Sequence, residues 1–275
     1  MSGTLGSQLG TNLIQEPREL GTDLIGWTPA ALGSTVKLWA HAGAGVRNDG
    51  SGYCDQLTEQ GPLGYVFTQV TGSSRPLISS LNGRPSLLLD GTDDSMGCTS
   101  ASSEWTVMHD GTAMHTFCVV AQTGSASKHS PWLATCDITA PTTSAGIVLS
   151  SYATAIEDIG YYIQNGSGVR PVDSNTGTTV TNAWMLLEWR IDSGGATKWL
   201  SAINGTTVGS SASFANTLAS GAPAATLRIG RDRGTASVKA QGHWGESLIC
   251  IGVQTGATLA QIKSYFAGKY GITVA

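Results

Sequence analysis

The chain has 275 residues, with 15 Lys plus Arg against 19 Asp plus Glu, a net charge of −4 and no run of like charge. That balance excludes a basic nucleic-acid footprint, and no stretch approaches the ~18–20 consecutive apolar residues of a membrane span. Charged residues make up 12% while glycine occupies 36 positions, a composition that suits short strands joined by many turns, at a length that lets one all-β domain bury a full core.

Residues 1–26 stand apart. They are rich in Gly, Thr and Leu without a sustained period, and Gly10-Thr11-Asn12-Leu13-Ile14 recurs as Gly21-Thr22-Asp23-Leu24-Ile25. Such an arm either frays or packs the same Leu-Ile pair twice, on its own domain or on a neighbouring subunit. Its Met1-Ser2-Gly3-Thr4-Leu5-Gly6 start has no basic region followed by an apolar core, so synthesis in the cytoplasm without a secretory signal is expected.

From Trp27 onward the signals are strand and turn. Thr116–Ala121, Gly146–Leu149 and Gly160–Ile163 are β-rich runs bounded by Gly, Ser or Asn. In Met185–Asp192 the alternation puts Met185, Leu187, Trp189 and Ile191 on one face and Leu186, Glu188, Arg190 and Asp192 on the other, which predicts a sheet with one wet face. Lys198–Ile203 runs into Asn204-Gly205 and out through Thr206–Val208, the pattern of a type I′ hairpin. Further strands are expected at Thr226–Gly230 and Leu248–Val253. The C-terminus alone reads as helix: Thr258 and Gln261 form a capping box, Leu259, Ile262 and Phe266 share a face, and Gly271 is placed to end it. One helix beside many strands predicts an all-β sandwich.

Three segments, in order, resemble the concanavalin A-like, laminin G-like jelly-roll family in its bacterial and phage form. They are Trp27–Leu32 leading to Leu38-Trp39, then Leu81–Asp94, then the Ile203-Asn204-Gly205 hairpin with Gly242–Glu246 and the tail Lys269–Ile272. The resemblance spans residues 27–272 and implies a jelly-roll β-sandwich of two antiparallel sheets over residues 27–275, with residues 1–26 as a docking arm and a short C-terminal helix. The family's acidic residue after the opening tryptophan strand is replaced by Ala40-His41-Ala42-Gly43. The fold hosts lectins, glycan hydrolases, adhesion modules and structural domains, so function is decided by the site.

Glycoside hydrolysis needs two carboxylates about 5–5.5 or 6.5–9.5 Å apart across one cleft. The alternate-position acidic pattern of this fold's hydrolases is absent, and the nearest approach is Glu188-x-Arg190-x-Asp192, which also reads as a charge-balanced surface. Calcium takes six to eight oxygens, and Asp90-Gly91-Thr92-Asp93-Asp94 is the densest supply. Asp90, Asp93 and Asp94 are therefore the candidate ligands, and the same residues also suit an Asp-Gly turn bonded to its own backbone. The five histidines show no zinc spacing, and no nucleophile elbow or phosphate loop is present. Five scattered cysteines, Cys54, Cys98, Cys118, Cys136 and Cys250, form no CxxC pair and are expected to be reduced, with Cys118 and Cys250 as small core hydrophobes.

Eight tryptophans against four phenylalanines invite a sugar-stacking reading, since an indole anchors interfaces well. Trp39, Trp189 and Trp199 fall on the apolar phase of strands and are expected in the core. Trp105, Trp132 and Trp244 neighbour loops and are the candidates for an exposed glycan platform. Arg231 and Asp232, with Arg233, form a charged turn placed to border a glycan groove or a subunit contact. These readings predict a non-catalytic, virion-associated structural protein, shown on a particle surface as decoration or tail adhesion module, multi-copy, with virion proteins and cell-surface glycans as partners. A polysaccharide-degrading hydrolase of the same fold is the alternative, and a structural domain without ligand a third.

Overall fold

The structure is a computed structural model and describes residues 27–123, 129–137, 144–153, 157–169, 172–176, 182–233 and 238–275. The arm of residues 1–26 lies outside the described residues. In chain order the strands are β1 (Val36–His41), β2 (Val46–Asn48), β3 (Cys54–Thr58), β4 (Val66–Thr68), β5 (Leu77–Leu81), β6 (Arg84–Asp90), β7 (Met96–Cys98) and β8 (Met114–Gln122). They continue with β9 (His129–Ala134), β10 (Ala145–Ala153), β11 (Glu157–Asn165), β12 (Val172–Thr176), β13 (Met185–Ile191), β14 (Trp199–Ile203), β15 (Thr206–Ser211), β16 (Arg228–Ile229) and β17 (Gln241–Ile251). One α-helix, α1 (Gly256–Tyr270), closes the chain.

Two antiparallel sheets face each other, as the strand periodicity and the resemblance predict. The first has eight strands in the order β15-β14-β13-β8-β17-β6-β5, with β1 also on β17. The 11-residue β17 pairs with β8 along one edge, while its other edge takes β6 at Gln241–Trp244 and β1 from Glu246 to Cys250. The second sheet has nine strands in the order β12-β11-β10-β9-β16-β7-β4-β3-β2. Between the sheets lies the main core, which includes Leu38, Phe67, Val120, Trp132, Ile147, Leu187, Trp189, Ile229 and Trp244.

The Asn204-Gly205 hairpin forms as expected between β14 and β15, with φ of 49° and 81° at its two turn residues. All five cysteines are free and buried. Trp39 and Trp189 are buried, and Trp199 packs against the main core.

The helix departs from its predicted start. It begins at Gly256, with Thr255 as N-cap and no side-chain cap bond, so the Thr258–Gln261 capping box does not form. Gly252 and Gly256, at φ of 85° and 53°, turn the chain back from β17 and begin the helix before Thr258 can cap it. The end is as predicted: Gly271 is left-handed at φ 70° and donates to the Ala267 carbonyl.

The predicted wet face of β13 is a second correction. Ile262, Phe266 and Tyr270 of α1 pack with Phe117, Val119, Leu186 and Leu248 on the outer face of the first sheet, forming a second apolar cluster there. Burying Ile262 and Phe266 contributes about 1.5–3 kcal/mol each. Alternation along one strand assigns two faces, and only the tertiary fold decides that a helix covers the polar one. Gly245 permits the fit, because a Cβ there would lie 2.8 Å from the Tyr270 ring and 3.1 Å from Trp184.

Candidate binding face on the second sheet

On the outer face of the first sheet, α1 packs over Phe117, Val119, Leu186 and Leu248. The second sheet differs, and its register lays one row of residues across its outer surface. Arg47 pairs with Gln56, Gln56 with Thr68, Thr68 with Gly97, and Gly97 with Arg228. Beyond Arg228 the row continues through Ala134 and Val148 to Tyr162. Alternation fixes this face, since Leu57, Phe67, Met96 and Ile229 point into the main core.

The two halves of the row differ in exposure. Ala134, Val148 and Tyr162 are buried with Val238 packed against them. Arg47 is exposed, and Gln56, Thr68, Gly97 and Arg228 are partly exposed. The result is an open polar half that ends in a step at Arg228. Sequence reading expected the strand that carries Arg228 but missed Arg47, Gln56, Thr68 and Gly97: β2, β4 and β7 are three residues long, too short for a measurable period, and β3 buries Cys54 and Leu57, three apart, instead of alternating.

Two turns crowd one end of this sheet. In the acidic turn, Asp90 Oδ1 accepts the N–H groups of Thr92 and Asp93 at 2.7 and 3.2 Å, and Asp94 Oδ2 accepts the Asp90 N–H at 3.0 Å. Asp93 Oδ2 accepts the Ser74 hydroxyl at 2.8 Å. Ligand oxygens of Asp90, Asp93 and Asp94 lie within 4.8 Å of one another. Burial, then the charges of Asp90 and Asp93, push the Asp94 carboxyl up to about 7. Burial opposes ionisation of Asp90 too, but the backbone N–H groups of Thr92 and Asp93 outweigh it and hold its carboxyl below the ordinary range. The donor set has the hard-oxygen chemistry calcium selects, and the same oxygens serve the turn.

The arginine turn packs beside it: a Cβ on Gly230 would stand 3.2 Å from the Asp94 carbonyl oxygen. Arg231 bridges to Lys239, and Arg233 donates its N–H to the Cys136 carbonyl at 3.0 Å. Asp232 is fully buried, which corrects its expected place on a ligand surface.

The tryptophan platform is also corrected. Trp105, Trp132 and Trp244 are each 0% exposed. Their indole N–H groups donate to Ser100, Ser151 and Ser247 at 3.0, 2.9 and 2.9 Å. Each ring fills the space between the sheets, so none is placed to stack on a sugar. Proximity to loops in sequence misled here because Trp132 sits at a bulge of β9 and Trp105 on a 3₁₀ turn that closes the core.

Nor does the structure assemble the carboxylate pair of the hydrolase alternative. Gln254 N–H donates to His115 Nδ1, leaving Nε2 to donate to Glu188 Oε1 at 2.8 Å. Lys263 Nζ stands 3.8 Å from Glu188 Oε2. Glu188 is buried under α1. Asp192 lies beyond the end of β13 and accepts the N–H groups of Gly194 and Gly195 at 3.0 and 2.9 Å. One carboxylate is locked beneath the helix and the other closes a turn.

No protein-family model matches the chain, and comparison with curated proteins finds no relative. Solved structures do share the fold. The binding domain of Paraclostridial mosquitocidal protein 1 superposes with a TM-score of 0.58 at 10% identity, covering 85% of this chain and 53% of that one. The receptor-binding domain of botulinum neurotoxin D gives 0.57 at 10% identity, covering 84% and 52%. The carbohydrate-binding module of Ruminococcus gnavus IT-sialidase, bound to α2,3-sialyllactose, gives 0.51 at 11% identity, covering 65% and 95%. The chain thus spans about half the length of the two toxin domains. At these identities the likeness establishes the fold, an antiparallel β-sandwich.

Proposed function

We propose that the protein is a non-catalytic binding module that contacts glycans through the open half of its second sheet and is carried on the surface of a virus particle. The observation that carries the glycan reading is the accessible row Arg47, Gln56, Thr68, Gly97 and Arg228, in which polar side chains flank the bare Gly97 while α1 covers the opposite sheet. Supporting it, the structures of like fold include a toxin's binding domain, a receptor-binding domain and a carbohydrate-binding module bound to sialyllactose. The displaced pair Glu188 and Asp192 favours binding over turnover. The virion reading rests on the phage-type resemblance and on the repeated Leu-Ile pair of residues 1–26, which as a doubled docking element gains affinity through effective concentration.

A glycan array probed with the full chain, followed by titration of the best binder, tests the first part. Binding that Gln56→Ala and Thr68→Ala each weaken several-fold supports it, and background signal across the array overturns it. Co-sedimentation of the chain with assembled particles, abolished by deleting residues 1–26, tests the second.

A further inference from the structure

We propose that Arg228, with Arg233 near it, forms a subsite for an anionic substituent, a sulfate or a carboxylate, on the bound glycan. This rests on the glycan-binding reading of the second sheet. Arg228 stands on the outer face between Gly97 and Ala134. Toward Gly97 a Cβ would meet nothing within 4 Å, so the space before the guanidinium is open. Toward Ala134 the buried cluster with Val148 and Tyr162 forms a wall. A ligand lying along the open strip therefore ends against Arg228.

The turn that follows Arg228 is rich in cations, and the charges of Arg231 and Arg233 reach its guanidinium. The guanidinium of Arg228 is half-buried, and among the described residues it makes a long contact from Nη1 to the Asp232 carbonyl at 3.5 Å. No carboxylate among the described residues forms an ion pair with it. Burial, then the charges of Arg231 and Arg233, lower its pKa, and an anion bound in front of it would reverse that direction. The exposed Arg233 is tied by its backbone to Cys136, two residues past the end of β9, which fixes a second cation at the step. A planar guanidinium fork takes a sulfate or carboxylate through two parallel hydrogen bonds.

Titration calorimetry with matched oligosaccharides tests the proposal. One pair is sulfated and desulfated, the other a uronate and its reduced neutral form, and the two pairs separate the two anion sources. The acidic member is expected to bind about tenfold tighter at low salt, with the preference shrinking as salt screens it. Arg228→Ala and Arg233→Ala should each remove most of that preference while leaving neutral-sugar binding in place. Because Arg233 is exposed, its variant keeps the test decisive even where Arg228→Ala fails to fold. Equal affinity for acidic and neutral members, or a preference that both variants retain, overturns the subsite and leaves the glycan reading standing. Absence of binding by every oligosaccharide overturns both.

Discussion

Glu246 on β17 accepts the indole N–H of Trp39 on β1 across the sheet, with its carboxylate fully buried. The same carboxylate accepts the hydroxyls of Tyr265 and Tyr270 at 2.9 and 3.0 Å and pairs with Lys269 at 2.9 Å, all three from α1. One buried charge thus ties the helix to the first sheet. Removing one member of a buried pair strands the others, at about 3–5 kcal/mol. Glu246→Ala should lower stability by that order and speed hydrogen exchange across α1 more than elsewhere. Tyr265→Phe, which deletes the hydroxyl's bond to Glu246 and the one it accepts from Lys269, should cost about 1–3 kcal/mol. Denaturant unfolding measures both.

The acidic turn predicts a pH dependence of definite sign. In the folded chain the Asp94 carboxyl is pushed up to about 7 from its ordinary value of 3.8, so between those values the folded chain holds a proton that the unfolded chain releases. The contribution of Asp94 to stability is therefore greatest at the acidic end and falls as pH rises through that window. Asp94→Asn should flatten this part of the profile and make the variant the more stable protein near pH 8, as thermal unfolding from pH 4 to 8 would show. Millimolar calcium decides the turn's second reading: a rise in Tm for the wild type that Asp94→Asn abolishes assigns a bound cation, and an unchanged Tm assigns a turn alone.

Because Glu188 is held by His115 and Lys263 under α1, incubation with bacterial and algal polysaccharides should release no new reducing ends. Glu188→Gln should weaken the link to Lys263 and destabilise the helix contact by about 1–3 kcal/mol. Turnover in the wild type that this variant abolishes would restore the hydrolase reading.

Burial pushes the thiols of Cys54, Cys118 and Cys250 up to about 12. Since the thiolate is the reacting species, these three should resist an aromatic disulfide reagent at pH 8 in the folded protein. All five cysteines of the chain should react once it is unfolded.

Much of the scaffold was legible in the residues. The Asn204-Gly205 turn, the long strands β8 and β13, and the Gly271 helix end each depend on chemistry contained within a few consecutive positions. The binding face was much less so. Trp105, Trp132 and Trp244 looked like surface rings and are core, while Gln56, Thr68 and Gly97 sit on strands with no local pattern, and the strand expected around Arg228 gave no sign of the face it would join. Of the predicted site residues the structure brings together Asp90, Asp93 and Asp94, and sets the Arg231 turn beside them.

By itself, the order of residues determined that the chain is an all-β sandwich with a terminal helix, because alternation, turn chemistry and a left-handed glycine act over short distances. Which faces remain open to a ligand was decided by tertiary structure alone. Burial of Glu188 depends on a helix that begins far along the chain, at Gly256, and the row from Arg47 to Arg228 exists only where five strands drawn from across the sequence lie side by side.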